Sequence, residues 1–445
     1  MQANHPKRII VWFRKDLRLH DNEALTKAIE DADEVYPVYV FKDCEFRQDT
    51  DFGFKKTGPF RLKFILESVQ VLQVSLRKIG AALILRDGSP EDVIFELAKC
   101  IGASAVYANM ERTLDEVKTQ DALEKNLWTQ GIELSYFRGK MLYHTQDLPF
   151  PISHAPDTFS AFRKEVDRFV QIRAPFDAPS FLAAWSTDVD LGQLPSASDF
   201  GAKKPRKDKR SPMVFKGGEL AALERLELFC SDQGYPDQFE KRRYELQGAN
   251  ISSRLSSWLA LGCISPKYVF FRMKAYEEQY GASKSSAAFI QELLWRDHYR
   301  LIGKKYRDKI FQPGGILGRE TKIQHEDQDL LKQWIQAKTD CRLVNACMNE
   351  LSQTGFLSHR CRQIVSSFLV NDMQVSWRMG AAYFQHILVD YDICSNWVNW
   401  NIVGGVGPDT KEDRYINVYN QEKKLDPEAV YSNMWAGGKQ TNSPG

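Results

Sequence analysis

The run Asp390-Tyr391-Asp392-Ile393-Cys394-Ser395-Asn396-Trp397-Val398-Asn399-Trp400 sets two acids around a tyrosine, a neutral amide four residues after the second acid, and two tryptophans at its close. Carboxylates in so aromatic a setting are costly unless each has a partner or a bound ligand. The residues allow two readings. One is a helix end with capping acids and packed indoles; the other is a wall of a cofactor pocket. Arg362, Trp377 and the Ser252–Ser256 segment supply what the second needs: a cation, a further indole and a hydroxyl-rich loop.

Around that run the chain reads as helical. After Gly217-Gly218, periodic apolar segments at Leu220–Phe229, Phe289–Lys304, Leu343–Leu351, Gln363–Leu369 and Gly380–Val389 predict an all-helical half, residues 216–445, which holds seven of the ten tryptophans. Upstream, residues 151–215 are rich in proline and end in the basic run Lys203–Arg210, which reads as a partly ordered connector. The basic run is either a solvated loop or a nucleic-acid contact. Residues 1–150 alternate short β-branched runs (Ile9–Phe13, Val35–Phe41, Ala82–Leu85, Ala105–Tyr107, Leu134–Phe137) with amphipathic stretches such as Phe60–Ile79. This is the pattern of a doubly wound parallel α/β sheet, in which Asp21 or Asn22 would cap the first helix. No G-x-G-x-x-G or P-loop glycine pattern is present, so a standard dinucleotide or P-loop site is not expected.

A 43% hydrophobic and 27% charged composition is that of an ordinary globular protein. No apolar run approaches bilayer length, and Ile9–Phe13 is too short for a signal peptide's apolar region. A cytoplasmic monomer is the expectation. The eight cysteines are scattered without C-x-x-C spacing, which argues for reduced thiols and against a metal site. Residues 1–200 carry more acids than bases and residues 201–445 the reverse, which points to an anionic partner for the second half, nucleic acid being the commonest.

Several long stretches resemble the photolyase/cryptochrome family. They are Trp12–Asn22, Ser252–Ser256 with Trp258–Pro266, and Gln291–Asp297. Ser395–Trp400, with Gly404–Gly407 and Glu412-Asp413-Arg414-Tyr415, is most similar to the DASH cryptochromes. The resemblance spans residues 8 to 435 or so and implies an N-terminal antenna domain and a C-terminal FAD-binding domain. It implies that Ser252, Ser253, Arg254, Leu255 and Ser256 meet the FAD diphosphate, as hydroxyls and free N–H groups at a helix start can, although ordinary serine capping is the other reading. Phe239 and Gln291 would add cofactor contacts. Arg362 and Asp390 would pair against the isoalloxazine, Asp392 would be the second cofactor acid, and Asn396 would face flavin N5.

By the same resemblance Glu292 would contact the bases of a cyclobutane dimer, with Trp295, Arg296, His359 and Arg360 around the lesion; Trp295 as plain helix core is the alternative. Trp400 and Trp377 match the first two members of a tryptophan relay, but Gln324 stands where the third is expected, and Trp397 or a tyrosine would have to substitute. Further departures from the family's pattern gather at the expected lesion site, at Asp340, Asn345, Asn349 and His359, and it is on these that the choice between repair and the rival below turns. Glu111 is either a surface acid or the holder of a methenyltetrahydrofolate antenna. The function implied is blue-light repair of cyclobutane pyrimidine dimers, preferably in single-stranded DNA. The rival is a photoreceptor or DNA-binding regulator with little repair activity.

Overall fold

Arg8–Phe13 forms β1, and every residue from Ile9 to Phe13 is buried, as expected of a strand covered on both faces. In this computed structural model, which describes residues 6–319, 325–408 and 415–436, β1 is the centre of a five-stranded parallel sheet. With β2 (Glu34–Lys42), β3 (Ile84–Gly88), β4 (Ala105–Asn109) and β5 (Glu133–Phe137), the order is β3-β2-β1-β4-β5. Ile9 pairs with Val35 on one side and Ala105 on the other. Because side chains alternate along a strand, Ile9, Val11 and Phe13 join the core shared with the helical half, while Ile10 and Trp12 pack beneath the outer helices Pro90–Ile101 and Leu114–Trp128. Sheet and helical half thus share one apolar core.

The chain after β1 is a polar ledge buried between the halves. Arg18, 1% exposed, donates to the carbonyls of His20, Asp21, Gly139 and Gly262 at 2.8–3.1 Å. Glu219 accepts from the backbone N–H groups of Leu19 and His20 and from His20 Nδ1. Burial alone would raise the Glu219 carboxyl, but His20 and the two N–H groups outweigh it and hold it below its ordinary value. Asp21 takes a positive φ of 47° and pairs with Lys267 at 2.7 Å, leaving Asn22 to cap the Glu23–Asp31 helix. Gly262 (φ 65°) is required here: a Cβ would lie 2.2 Å from the Lys15 carbonyl oxygen.

The connector is laid against the sheet. Trp185 stacks on Tyr36 at 4.6 Å and donates to the Val35 carbonyl, and the Leu85 N–H donates to Leu191 O, covering the edge of β3. Phe159–Phe169 is helical, and Arg210 lies 4.4 Å over the Trp435 ring. Beyond it the helices Lys284–Tyr306, Arg342–Thr354, His359–Ser367, Trp377–Ile387 and Ile393–Val403 build the second half. Among the described residues no helix is long and apolar enough to cross a membrane.

Replacing Arg18 by alanine should lower stability by about 3 kcal/mol, because four buried carbonyls lose a charged donor. Arg18→Lys should recover little, since an ammonium cannot reproduce the planar fork. Denaturant unfolding of both variants measures this, and a loss under about 1 kcal/mol for Arg18→Ala would show that the ledge is not a structural tie.

Candidate functional site

Within the helical half a cavity of about 490 Å³ adjoins a smaller one of about 100 Å³, and His359, Arg362, Gln363, Asp390, Asp392, Ser395 and Asn399 line both. Four elements meet there: the His359–Ser367 helix, the Ile393–Val403 helix with the residues just before it, the Ser252–Ser256 loop and the Lys284–Tyr306 helix.

Arg362 Nη2 reaches both oxygens of Asp390, at 2.9 and 2.8 Å. Asp392 caps the Ile393–Val403 helix by accepting from Ser395 N at 2.8 Å, and its other oxygen accepts from Arg300 Nη1 at 3.1 Å. Burial would raise Asp392, but the guanidiniums of Arg300 and Arg296 and the Ser395 N–H hold it below the ordinary carboxylate range. Both acids of the opening run are therefore paired while still facing the cavity. Asn396 lines the smaller cavity and donates one Nδ2–H to the Ala381 carbonyl at 3.1 Å. Trp400 lines the same wall.

Trp400 and Trp377 are fitted by reciprocal glycines. A Cβ on Gly380, one turn past Trp377, would lie 2.2 Å from Trp400 Cη2; a Cβ on Gly404, one turn past Trp400, would lie 2.5 Å from Trp377 Cδ1. Each indole rests on bare backbone of the other's helix. Trp377 also meets the Trp397 ring at 6.0 Å. Gln324 lies outside the described residues, as do Glu412, Asp413 and Arg414.

At the opposite end the Ser252–Ser256 loop is held from outside by Arg225, whose guanidinium donates to the carbonyls of Ala249, Ser252 and Ser253 and to Asn250 Oδ1. Ser252, Ser253, Leu255 and Ser256 line the cavity with Phe239. Arg254 takes φ 55°, a region costly for a branched-Cβ or long side chain, and its buried Nε has no hydrogen-bond partner among the described residues. Serine capping does not explain this loop: the Ser256–Leu261 helix has no side-chain cap. Gln291 corrects the sequence reading. It lines an outer groove and accepts from Arg163 at 3.4 Å, on a different side of its helix from Glu292, Trp295 and Tyr299.

The Lys284–Tyr306 helix brings Glu292 and Trp295 to the larger cavity. Glu292 pairs with Arg243 at 2.9 Å; burial raises its pKa and Arg243 opposes the rise. Trp295 is not plain core: one face stacks on Phe159 at 3.7 Å and it lines the cavity. Arg296 also borders the cavity, but its guanidinium is spent on the carbonyls of Lys140 and Leu259, so it ties the halves together instead of reaching for a ligand. Arg360 is held by the side-chain carbonyls of Gln363 and Gln421, and has no carboxylate partner among the described residues. His359 stands at the junction of the two cavities, where the surrounding protein and then Arg362, Arg243 and Arg360 push its imidazole down to about 4. It is neutral near pH 7.

Asp340, Asn345 and Asn349 line neither cavity, which corrects their assignment to the lesion site. Asp340 accepts from Tyr419, Asn345 closes on Thr339, and Asn349 donates to the Trp435 carbonyl. They fasten the Arg342–Thr354 helix to neighbouring segments.

A third cavity, about 280 Å³, lies between the halves and is lined by Trp12, Tyr39, Glu111, Tyr391 and Trp397 among others. Glu111 is 3% exposed, so it is no surface acid; Lys140 and Arg300 share its carboxylate, Arg300 at 3.5 Å.

Arg300, Arg243 and Arg225 escaped the sequence reading. Arg300 could have been found, since it continues the four-residue step Glu292, Arg296 along one helix; the other two act from elements whose placement no local pattern gives.

Residues 9–180 match the DNA photolyase family, and residues 289–438 match the FAD-binding domain of DNA photolyase. Cryptochrome DASH of Synechocystis sp. is 40% identical over 97% of this chain and 87% of its own length, and cryptochrome DASH of Xenopus laevis is 40% identical over 97% and 83%. The crystal structure of a Synechocystis sp. cryptochrome superposes with a TM-score of 0.94 at 39% identity, covering 98% of this chain and 89% of that one. A class III photolyase from Agrobacterium tumefaciens gives 0.83 at 27% identity, covering 98% and 87%.

Two outcomes are expected at this site. Arg362→Leu strands a buried carboxylate at a cost of about 3 kcal/mol, and flavin content per chain should drop sharply; retention of wild-type content would remove the pair from the cofactor's binding site. The His359 ring proton signals in NMR should not titrate between about pH 5.5 and 8, whereas a midpoint near neutrality would restore it as a proton donor.

Proposed function

The chain belongs to the photolyase/cryptochrome family, in its DASH branch, and from that premise we propose that it repairs cyclobutane pyrimidine dimers in DNA under blue light, preferring single strands. One observation carries this reading: the Arg362–Asp390 pair and Asn396 on one side, and Glu292 with Trp295 on the other, border a single recess. When bound, reduced FAD supplies the light-excited electron donor that opening a cyclobutane ring requires.

The chain's own part is to bind, orient and exclude water. The serine loop and Arg254, with its unpartnered Nε, suit a diphosphate. Asn396, a neutral amide with one Nδ2–H bound to Ala381, can pair with a ring nitrogen whether or not that nitrogen carries a proton. Trp295, already stacked on Phe159, offers an aromatic wall for an extruded base. Flipping costs least where a base is damaged or single-stranded, which supports the strand preference. Glu292 borders the cavity and is held by Arg243, a placement that suits a carboxylate meeting a base edge. The same proposal includes methenyltetrahydrofolate as an antenna in the cavity between the halves, where Trp12 and Tyr39 offer aromatic surface and Glu111 lies in the wall.

A photoreceptor with little repair was the rival, on the ground that the lesion site had changed. Three of the four changed residues, Asp340, Asn345 and Asn349, lie in contacts outside the recess, which weakens that ground.

The test is blue-light repair of a UV-irradiated thymine oligomer, single-stranded and duplex in parallel, with the flavin chemically pre-reduced. Recovery of thymine absorbance, faster on the single strand, is expected. Glu292→Gln should lower the repair yield severalfold without changing flavin content. No recovery by a chain holding reducible FAD would put the photoreceptor reading first.

A further inference from the structure

A relay that stops at Trp377 has no outlet, because Trp377 is 1% exposed and its Nε1 is directed at the Pro313 carbonyl, 3.4 Å away. Two aromatic directions leave the Trp400–Trp377 pair. One runs from Trp400 through Phe384 (5.1 Å) to Trp334 (6.1 Å), but a phenyl ring is much harder to oxidise than an indole, and Trp334 is 0% exposed with Nε1 bound to Val365 O. The other is a direct indole–indole contact, Trp377 to Trp397, edge to face at 6.0 Å. Trp397 is 7% exposed and lines the cavity of about 280 Å³ between the halves.

We propose that Trp397 is the outer member of this chain's electron relay, and that small reductants reach it through the cavity between the two halves. The proposal rests on the flavin reading above and goes beyond it by assigning the outlet. The surroundings of Trp397 are suited to hold the hole there. Its Nε1 donates to the Tyr391 hydroxyl at 3.1 Å, a neutral acceptor. Tyr391 has no acceptor for its own proton among the described residues, and the Arg61 guanidinium sits 4.5 Å over its ring. Oxidising a tyrosine requires losing that proton, and a cation over the ring opposes positive charge on it. The hole therefore stops at Trp397 and does not run on to Tyr391.

Each hop moves one electron inward. Trp400 gives an electron to the photoexcited oxidised flavin, Trp377 restores Trp400, and Trp397 restores Trp377. A thiol in the cavity restores Trp397; two thiols give up two electrons and two protons and join as a disulfide.

The test compares wild type, Trp397→Phe and Trp377→Phe, each carrying FAD, illuminated with and without dithiothreitol. Phenylalanine keeps the apolar shape, and flavin content and dark reduction by dithionite check that the site survives. Trp397→Phe should lose most of its photoreduction rate with both checks unchanged. Without dithiothreitol, peptide mass spectrometry of illuminated wild type should find oxidised Trp397, moving to Trp377 in Trp397→Phe. This mapping on the unaltered chain decides the matter even if the variant folds poorly. A Trp397→Phe chain that photoreduces like wild type, or oxidation in wild type that avoids position 397, would overturn the outlet. A wild-type chain with no flavin would instead overturn the flavin reading on which it rests.

Discussion

Arg300 is the residue on which the two halves agree. One nitrogen pairs with Asp392 in the wall of the flavin recess and another with Glu111 in the wall of the cavity between the halves, and Glu111 in turn takes Lys140. All four are at most 10% exposed at the side chain. A buried ion is tolerated only with its counter-charge in place, so each member fixes the position of the next. Burial and the Arg300 cation lower Lys140 to about 8 against the pull of Glu111, while the two carboxylates outweigh burial and raise Arg300 above its ordinary value. Asp392 is held low, so its share of the stability is present above the carboxylate's unfolded value and is lost as acid approaches the folded one. The chain of charges makes the site a property of the whole molecule.

The sheet and the helices were legible because their signals are local. The run Ile9–Phe13 reads as a strand and forms β1; Leu220–Phe229 reads as a helix and forms Glu219–Phe229, and Gly380–Val389 reads as a helix that forms three residues earlier at its start and two at its end, as Trp377–Ile387. Asp390, Asp392, Asn396 and Arg362 were legible too, through a resemblance carried by long motifs, and the recess brings them together. What failed was orientation. Gln291 stands beside Glu292 in sequence, yet one helical step of about 100° turns it to the outer groove. Arg296 shares the cavity wall, but two carbonyls from other segments, Lys140 and Leu259, claim its donors. Such contacts depend on elements far away in sequence, and no spacing rule reports them.

The asparagines at 345 and 349 teach the same lesson from the other side. Substitutions in a helix near a functional site look like changes to that site, but Asn345 answers Thr339 and Asn349 answers the Trp435 carbonyl. Neutral amides there satisfy backbone groups that would otherwise be buried unpaired. Within the recess Arg362 pairs with Asp390 and Arg243 with Glu292. The one change that does border it, His359, is pushed down first by the protein that surrounds it and then by the guanidiniums of Arg362, Arg243 and Arg360.

The ledge after β1 bears on how the molecule comes to be made. Arg18 is made 244 residues before its Gly262 partner, and Glu219 completes the backbone of Leu19 and His20 some 200 residues after they are made. Until then a sheet with one apolar face and a charged, unfinished rim must wait in the open. Contacts so distant in sequence slow folding and lengthen exposure of sticky surface. Completion of the N-terminal half is thus timed by translation of the helical half.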